Sequence, residues 1–136
     1  LHVVTPIKRL YDWDTVKAFS KQLVEHLARL MPDRFTAVSG PKNRVGKIYP
    51  DYLRNARGAT TVCAWSVRAR PGLGVSVPVA WDELSKITGG AQWHIENVVE
   101  RLRLGNRAWA EWPQSSTTLT SAAKALQMAR ESRRAN

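Results

Sequence analysis

The sequence predicts an α+β fold in which an antiparallel or mixed sheet is flanked by helices, and two patterns in its 136 residues predict it. Apolar residues recur at three- and four-residue steps in separate stretches, the spacing of helices that bury one face. Between these lie segments of two-residue alternation, the spacing of strands with one face turned inward.

Residues 3–7 (Val-Val-Thr-Pro-Ile) are expected to form a short strand. Asp12 and Asp14 then precede Val16, Phe19, Leu23, Leu27 and Leu30, a helix whose free amides an aspartate caps and which Pro32 stops. Gly40 to Gly46 is a polar, basic loop carrying Pro41, Lys42, Asn43 and Arg44. A strand is expected over 47–53, at an edge or distorted, because Pro50 cannot donate to a ladder. Residues 60–68 alternate, with Thr61, Cys63, Trp65 and Val67 on one face and Thr60, Val62, Ala64, Ser66 and Arg68 on the other. Pro71-Gly72 turns the chain into a further strand at Val75, Val77 and Val79. A short helix is expected over Asp82–Ile87 and a longer one through Ile95, Val98, Val99 and Leu102. Leu119, Ala122, Ala123 and Leu126 predict a last helix, followed by a basic tail at Arg130, Arg133 and Arg134.

Lys and Arg number 21 against 11 acids, a net charge of +10, and such an excess attracts polyanions. Membrane-surface binding would gather that charge on an amphipathic helix. Here it is spread over loops and strands, which suits phosphate contacts and favours nucleic acid over a membrane. No stretch approaches the roughly 20 apolar residues that span a bilayer. The single cysteine, Cys63, excludes an intrachain disulfide and fits a reducing cytoplasm. The opening Leu1-His2-Val3-Val4 lacks both a Met and the basic lead of a signal peptide, so the chain is expected to be a piece of something longer.

Chemistry concentrates between Lys42 and Arg70. Asp51 is the only acid there among Lys42, Arg44, Lys47, Arg54, Arg57, Arg68 and Arg70. Such a cluster is either an aspartate neutralised by surface arginines or a metal ligand with arginines placed to hold phosphate oxygens. Spacing alone leaves both open. Asp12-Trp13-Asp14 has a metal-strand spacing, but acids also favour a helix start, which is the reading adopted here. His2 stands before an apolar strand as a terminal or packed histidine, and His26 and His94 are expected to be structural or exposed. Cys63 is expected to be a small core residue, and Trp65, Trp81, Trp93 and Trp109 to fill core and seams.

Gly46-Lys47-Ile48-Tyr49-Pro50-Asp51-Tyr52-Leu53-Arg54-Asn55-Ala56-Arg57-Gly58-Ala59-Thr60-Thr61-Val62, continuing to Ser66-Val67-Arg68-Ala69-Arg70-Pro71-Gly72, resembles a signature of the bacterial ligase D polymerase/primase domain. Pro78-Val79-Ala80-Trp81-Asp82-Glu83-Leu84, Leu1-His2-Val3-Val4-Thr5-Pro6 and Asp33-Arg34-Phe35 resemble further blocks of the same family. The resemblance covers roughly residues 1–104. It implies a primase-type catalytic core of the archaeo-eukaryotic primase superfamily, with residues 1–112 as the carboxy-terminal half of that domain and 113–136 as a terminal helix and basic tail. It further implies nucleotide addition to DNA ends in bacterial non-homologous end joining, using nucleoside triphosphates, often ribonucleotides, and two Mn2+ or Mg2+ ions.

By the same resemblance, Asp51 is the third metal-binding carboxylate and Arg44 a loop arginine that activates the site. His2 and Arg68 contact the incoming triphosphate, and Arg54 lies near the metal aspartate. The implied partners are DNA ends, Ku and the ligase and nuclease domains, in the cytoplasm and at the nucleoid. Pro50 replaces an aliphatic residue of the family pattern, and Ala64-Trp65 replaces Pro-Tyr. The family's other two metal carboxylates, an Asp-x-Asp pair, would lie upstream of Leu1. One carboxylate cannot hold two metals, so the chain by itself is expected to be inactive. The alternative is a non-catalytic basic DNA-binding or interaction module derived from that family.

Overall fold

The computed structural model describes residues 1–112 and 114–134, and side chains as far as Gln127. The chain divides into two units: residues 7–60 with the segment from Thr117 onward, and residues 1–6 with 61–116. Among the described residues there are three α-helices, α1 (Trp13–Leu30), α2 (Val98–Arg103) and α3 (Thr120–Arg134), and 3-10 turns at Pro41–Arg44, Trp81–Lys86 and Arg107–Trp109.

The first unit is built on α1. The Asp12 carboxylate accepts the Thr15 amide at 2.7 Å and caps the helix, while Asp14 in the first turn and Arg29 in the last complement its dipole. The Met31 amide closes the last turn on the Leu27 carbonyl, and Pro32 follows. The buried residue of α1 is Val24, whereas Leu23 and Leu30, expected to face inward, are exposed. The reason is α3, which packs against α1 and buries Leu126. Before the helices, the Lys8 amide donates to the Thr117 carbonyl at 2.9 Å in a parallel bridge between Ile7 and Thr117. The Tyr11 hydroxyl then accepts the Leu119 amide at 2.9 Å, satisfying a free donor at the start of α3. Arg130, Arg133 and Arg134, expected to form a basic tail after the last helix, lie within α3 instead, and their side chains are outside the described residues.

The expected strand over 47–53 reduces to one parallel bridge between Phe35 and Ile48, with the Thr36 amide on the Ile48 carbonyl at 3.0 Å and the Ile48 amide on the Arg34 carbonyl at 2.8 Å. Pro50 offers no donor to extend it, and Asp51 starts a side-chain-held turn instead.

The second unit holds a narrow antiparallel arrangement. Val67 bridges to Val75, and Gly74 bridges to His94. The Arg68 amide donates to the Gly74 carbonyl and the Ser76 amide to the Ser66 carbonyl, both at 2.9 Å, and the Val75 amide reaches the Trp93 carbonyl at 2.7 Å. Gly74 is required by close approach, since a Cβ there would lie 2.4 Å from the Gly90 carbonyl oxygen. The alternation expected over 60–68 breaks at Trp65, whose φ of 63° lies in the left-handed region. Cys63, expected in the core, is exposed. So is Trp81, at 75%. The expected sheet does not form among the described residues, which hold isolated bridges instead, two parallel and two antiparallel.

The helix expected through Ile95 is shorter, starting at Val98, and Val99 and Leu102 are exposed. Arg101 is the residue of α2 that turns inward. Its guanidinium donates to both Glu83 carboxylate oxygens, to Oε2 at 3.0 Å, and to the Pro78 carbonyl at 2.6 Å. It also lies 5.7 Å from the centre of the Trp93 ring. Glu83 in turn accepts the Ala80 amide at 2.7 Å, so one ion pair joins the 3-10 turn, α2 and the strand end.

Candidate functional site

In the α1 unit the segment from Gly40 to Thr60 carries three of the expected site residues. Gly40, with φ 114°, opens the loop and Pro41 begins its 3-10 turn; the Asn43 side chain donates to the Ser39 carbonyl at 2.8 Å and fixes the turn. Arg44 ends that turn, exposed, with its guanidinium 5.2 Å above the Tyr49 ring. A guanidinium stacked on a ring keeps its in-plane N–H groups free for an anion. The Tyr49 hydroxyl is shielded from solvent. Burial first, and then the Asp51 carboxylate, raises its phenol above the usual value.

The Asp51 side chain is 45% exposed. One carboxylate oxygen accepts the Leu53 amide at 2.9 Å, and the other lies 3.8 Å from Arg54 Nε. Arg54 also donates to the Thr60 carbonyl at 3.0 Å, so the arginine is tied across the turn while Asp51 keeps a solvent-facing edge. The Asn55 side chain donates to Ser20 Oγ at 3.0 Å and anchors this turn on α1. Asp51, Arg54 and Arg44 are thus gathered on one loop, with Lys42, Lys47 and Arg57 exposed along it.

His2 and Arg68 belong to the other unit. His2 Nδ1 lies 3.4 Å from Thr61 Oγ1, which links the opening segment to the start of the 61–68 segment. Arg68 is exposed, and its backbone amide is held by the Gly74 carbonyl. That pairing fixes its Cα on a paired position while its side chain stays outside.

No group of three or more His, Cys, Asp or Glu side chains able to hold a metal occurs among the described residues. Asp51, with a cation already beside it, supplies one carboxylate, so this chain's described donors do not by themselves fit a two-metal centre. Among the described residues no helix is long and apolar enough to cross a membrane.

The sequence reading missed Arg101 and Glu83, because a charged residue in a helix gives no periodicity signal of burial. It also missed the groove beside Phe35, since a bridge between Phe35 and Ile48 is needed to bring Lys47 next to α1.

The family described as LigD, primase-polymerase domain, matches residues 1–109. The chain is 50% identical over 124 residues, 90% of its length, to the multifunctional non-homologous end joining protein LigD of Pseudomonas aeruginosa, of which it covers 15%. It is 29% identical over 93 residues to the bifunctional non-homologous end joining protein LigD of Bacillus subtilis, a match to 68% of this chain and 15% of that protein. With the multifunctional LigD of Mycolicibacterium smegmatis it shares 27% identity over 85 residues, 62% of this chain and 11% of that protein. The chain therefore spans at most 15% of the length of these relatives.

Proposed function

The chain belongs to the LigD primase-polymerase domain family, and from that premise we propose that it is the carboxy-terminal half of a DNA-dependent nucleotidyltransferase domain that adds nucleotides to DNA ends in non-homologous end joining. The observation that carries this reading is Asp51: a half-exposed carboxylate held by the Leu53 amide and bordered by Arg54 on a loop of exposed cations. A carboxylate there would supply one oxygen ligand to a Mn2+ or Mg2+ ion, with further carboxylates from the parent protein needed to complete the site. When bound, the metals would polarise the attacking hydroxyl and the leaving pyrophosphate.

The other residues act on charge. Arg44 donates from its seat on Tyr49 to phosphate oxygens, and Arg54 orients the Asp51 carboxylate. His2 and Arg68 bind the incoming triphosphate, where donors aimed at growing negative charge lower the barrier. Residues 1–112 belong to the parent domain, and the last helix with its arginines follows it. The partners are DNA ends, nucleoside triphosphates, Ku and the ligase and nuclease domains, met in the cytoplasm at the nucleoid.

Primer extension by the parent protein with Mn2+ and ribonucleotides tests the assignment. Asp51→Ala is expected to abolish addition and leave the melting temperature unchanged, because it removes an exposed carboxylate. An Asp51→Ala protein that extends primers at the wild-type rate would end it. The absence of a carboxylate cluster among the described residues favours a second reading, a non-catalytic basic DNA-binding module. Under that reading Asp51→Ala leaves DNA binding intact and there is no extension to lose.

A further inference from the structure

A groove runs along the last turns of α1 in the first unit, separate from the Asp51 turn in its lining. Its formation follows from the end of the helix. After Pro32 the Arg34 and Phe35 amides both donate to the Met31 carbonyl at 3.0 Å, which turns the chain back beside α1. The bridge from Phe35 to Ile48 then sets Lys47 on the opposite wall. The groove has a volume of about 380 Å3, within the 300–1,000 Å3 range of small-molecule and cofactor pockets.

Ala28, Pro32, Phe35 and Val38 give it an apolar lining, and Val38 is left 60% exposed. Arg29 and Lys47 supply its cations. Its one lining acid, Glu25, lies 3.9 Å from Lys21, which offsets it. The carbonyls of Leu27 and Met31 are taken up by the amides of Met31, Arg34 and Phe35, so the negative end of α1 is partly capped. An aromatic residue and two cations in one lining suit a nucleobase with its neighbouring phosphates. A chain of net charge +10 draws such a strand to its surface.

We propose that this groove binds single-stranded nucleic acid, with a base against Phe35 and the neighbouring phosphates on Arg29 and Lys47. The inference rests on the nucleic-acid reading above and adds a contact surface to it. No base sequence is selected, because every base has a face to stack and phosphates carry no sequence information.

The test is fluorescence anisotropy of a labelled oligothymidylate of about 12 nucleotides, within the site sizes of single-strand binders, titrated with the chain across a range of salt. Arg29→Gln combined with Lys47→Gln is expected to weaken binding about tenfold. It should also reduce the slope of log affinity against log salt by about 1.4, two phosphates at about 0.7 each. Phe35→Leu, which keeps the apolar volume but removes the ring, is expected to weaken binding about tenfold and leave the salt slope unchanged. Circular dichroism melts of all variants verify the fold, and the two charge substitutions are on the surface. Wild-type binding with no loss in either variant overturns the groove and leaves the nucleic-acid reading standing. No binding by the wild-type chain overturns both.

Discussion

Glu83 and Arg101 set the electrostatics of the second unit. The Arg101 side chain is 7% exposed and that of Glu83 23%, so the pair is largely out of water and makes several charged hydrogen bonds. Arg101 is the main cause that lowers the Glu83 carboxyl to about 2 from 4.5, with the Ala80 amide second. A folded-state value below the unfolded one means stability that is present above about pH 4.5 and lost as pH falls toward 2. The melting temperature is expected to drop over that interval, and Glu83→Gln should flatten the drop while lowering stability at neutral pH. Arg101→Met leaves the Glu83 carboxylate without its partner and is expected to cost about 3 kcal/mol in chemical denaturation. Gly74→Ala must displace the Gly90 carbonyl, a clash with backbone, and is expected to cost about 1–3 kcal/mol by the same measurement. Under the proposed assignment, Arg68→Ala in the parent domain is expected to lose about 2–4 kcal/mol of transition-state stabilisation, read as kcat/KM, with its melting temperature unchanged.

At the scale of elements, α1 and α3 depend on each other. Each buries an apolar residue, Val24 and Leu126, and the start of α3 is satisfied by Tyr11 from the segment before α1. Tyr11→Phe removes the acceptor of the Leu119 amide and is expected to lower the thermal transition and to raise amide exchange first at the start of α3. Truncation before Thr117 uncovers Val24 and should lower the transition further than Tyr11→Phe does. A truncated chain that melts like the intact one would show that α3 contributes nothing to this unit.

At the scale of the whole chain, charge and burial point outward. The +10 excess predicts DNA binding that falls steeply between low and moderate salt and depends little on base sequence, a behaviour that titrations at several ionic strengths check. The buried apolar residues among those described are Val24, Val75 and Leu126, while Leu1, Val3, Val4, Ile48 and Trp81 are exposed. So little burial predicts a low, broad thermal transition and binding of a hydrophobic dye, both corrected in the parent protein.

The sequence by itself determined the family, the charge and the positions of the first and last helices. The Asp51 signature is local and specific, charge is a sum over residues, and an aspartate cap, a helical period and a proline stop are all written within one segment. Which side of each helix turned inward was decided only by tertiary structure. Val24 is the residue of α1 that is buried, in a unit where α1 packs on α3, and Arg101 entered the interior because Glu83 and the Pro78 carbonyl satisfy it there. Strand pairing was likewise not legible: alternation marks a face but names no partner, and Pro50 and the left-handed Trp65 interrupt ladders that the pattern alone extends. Burial and pairing are relations between distant segments, and period within one segment cannot carry them.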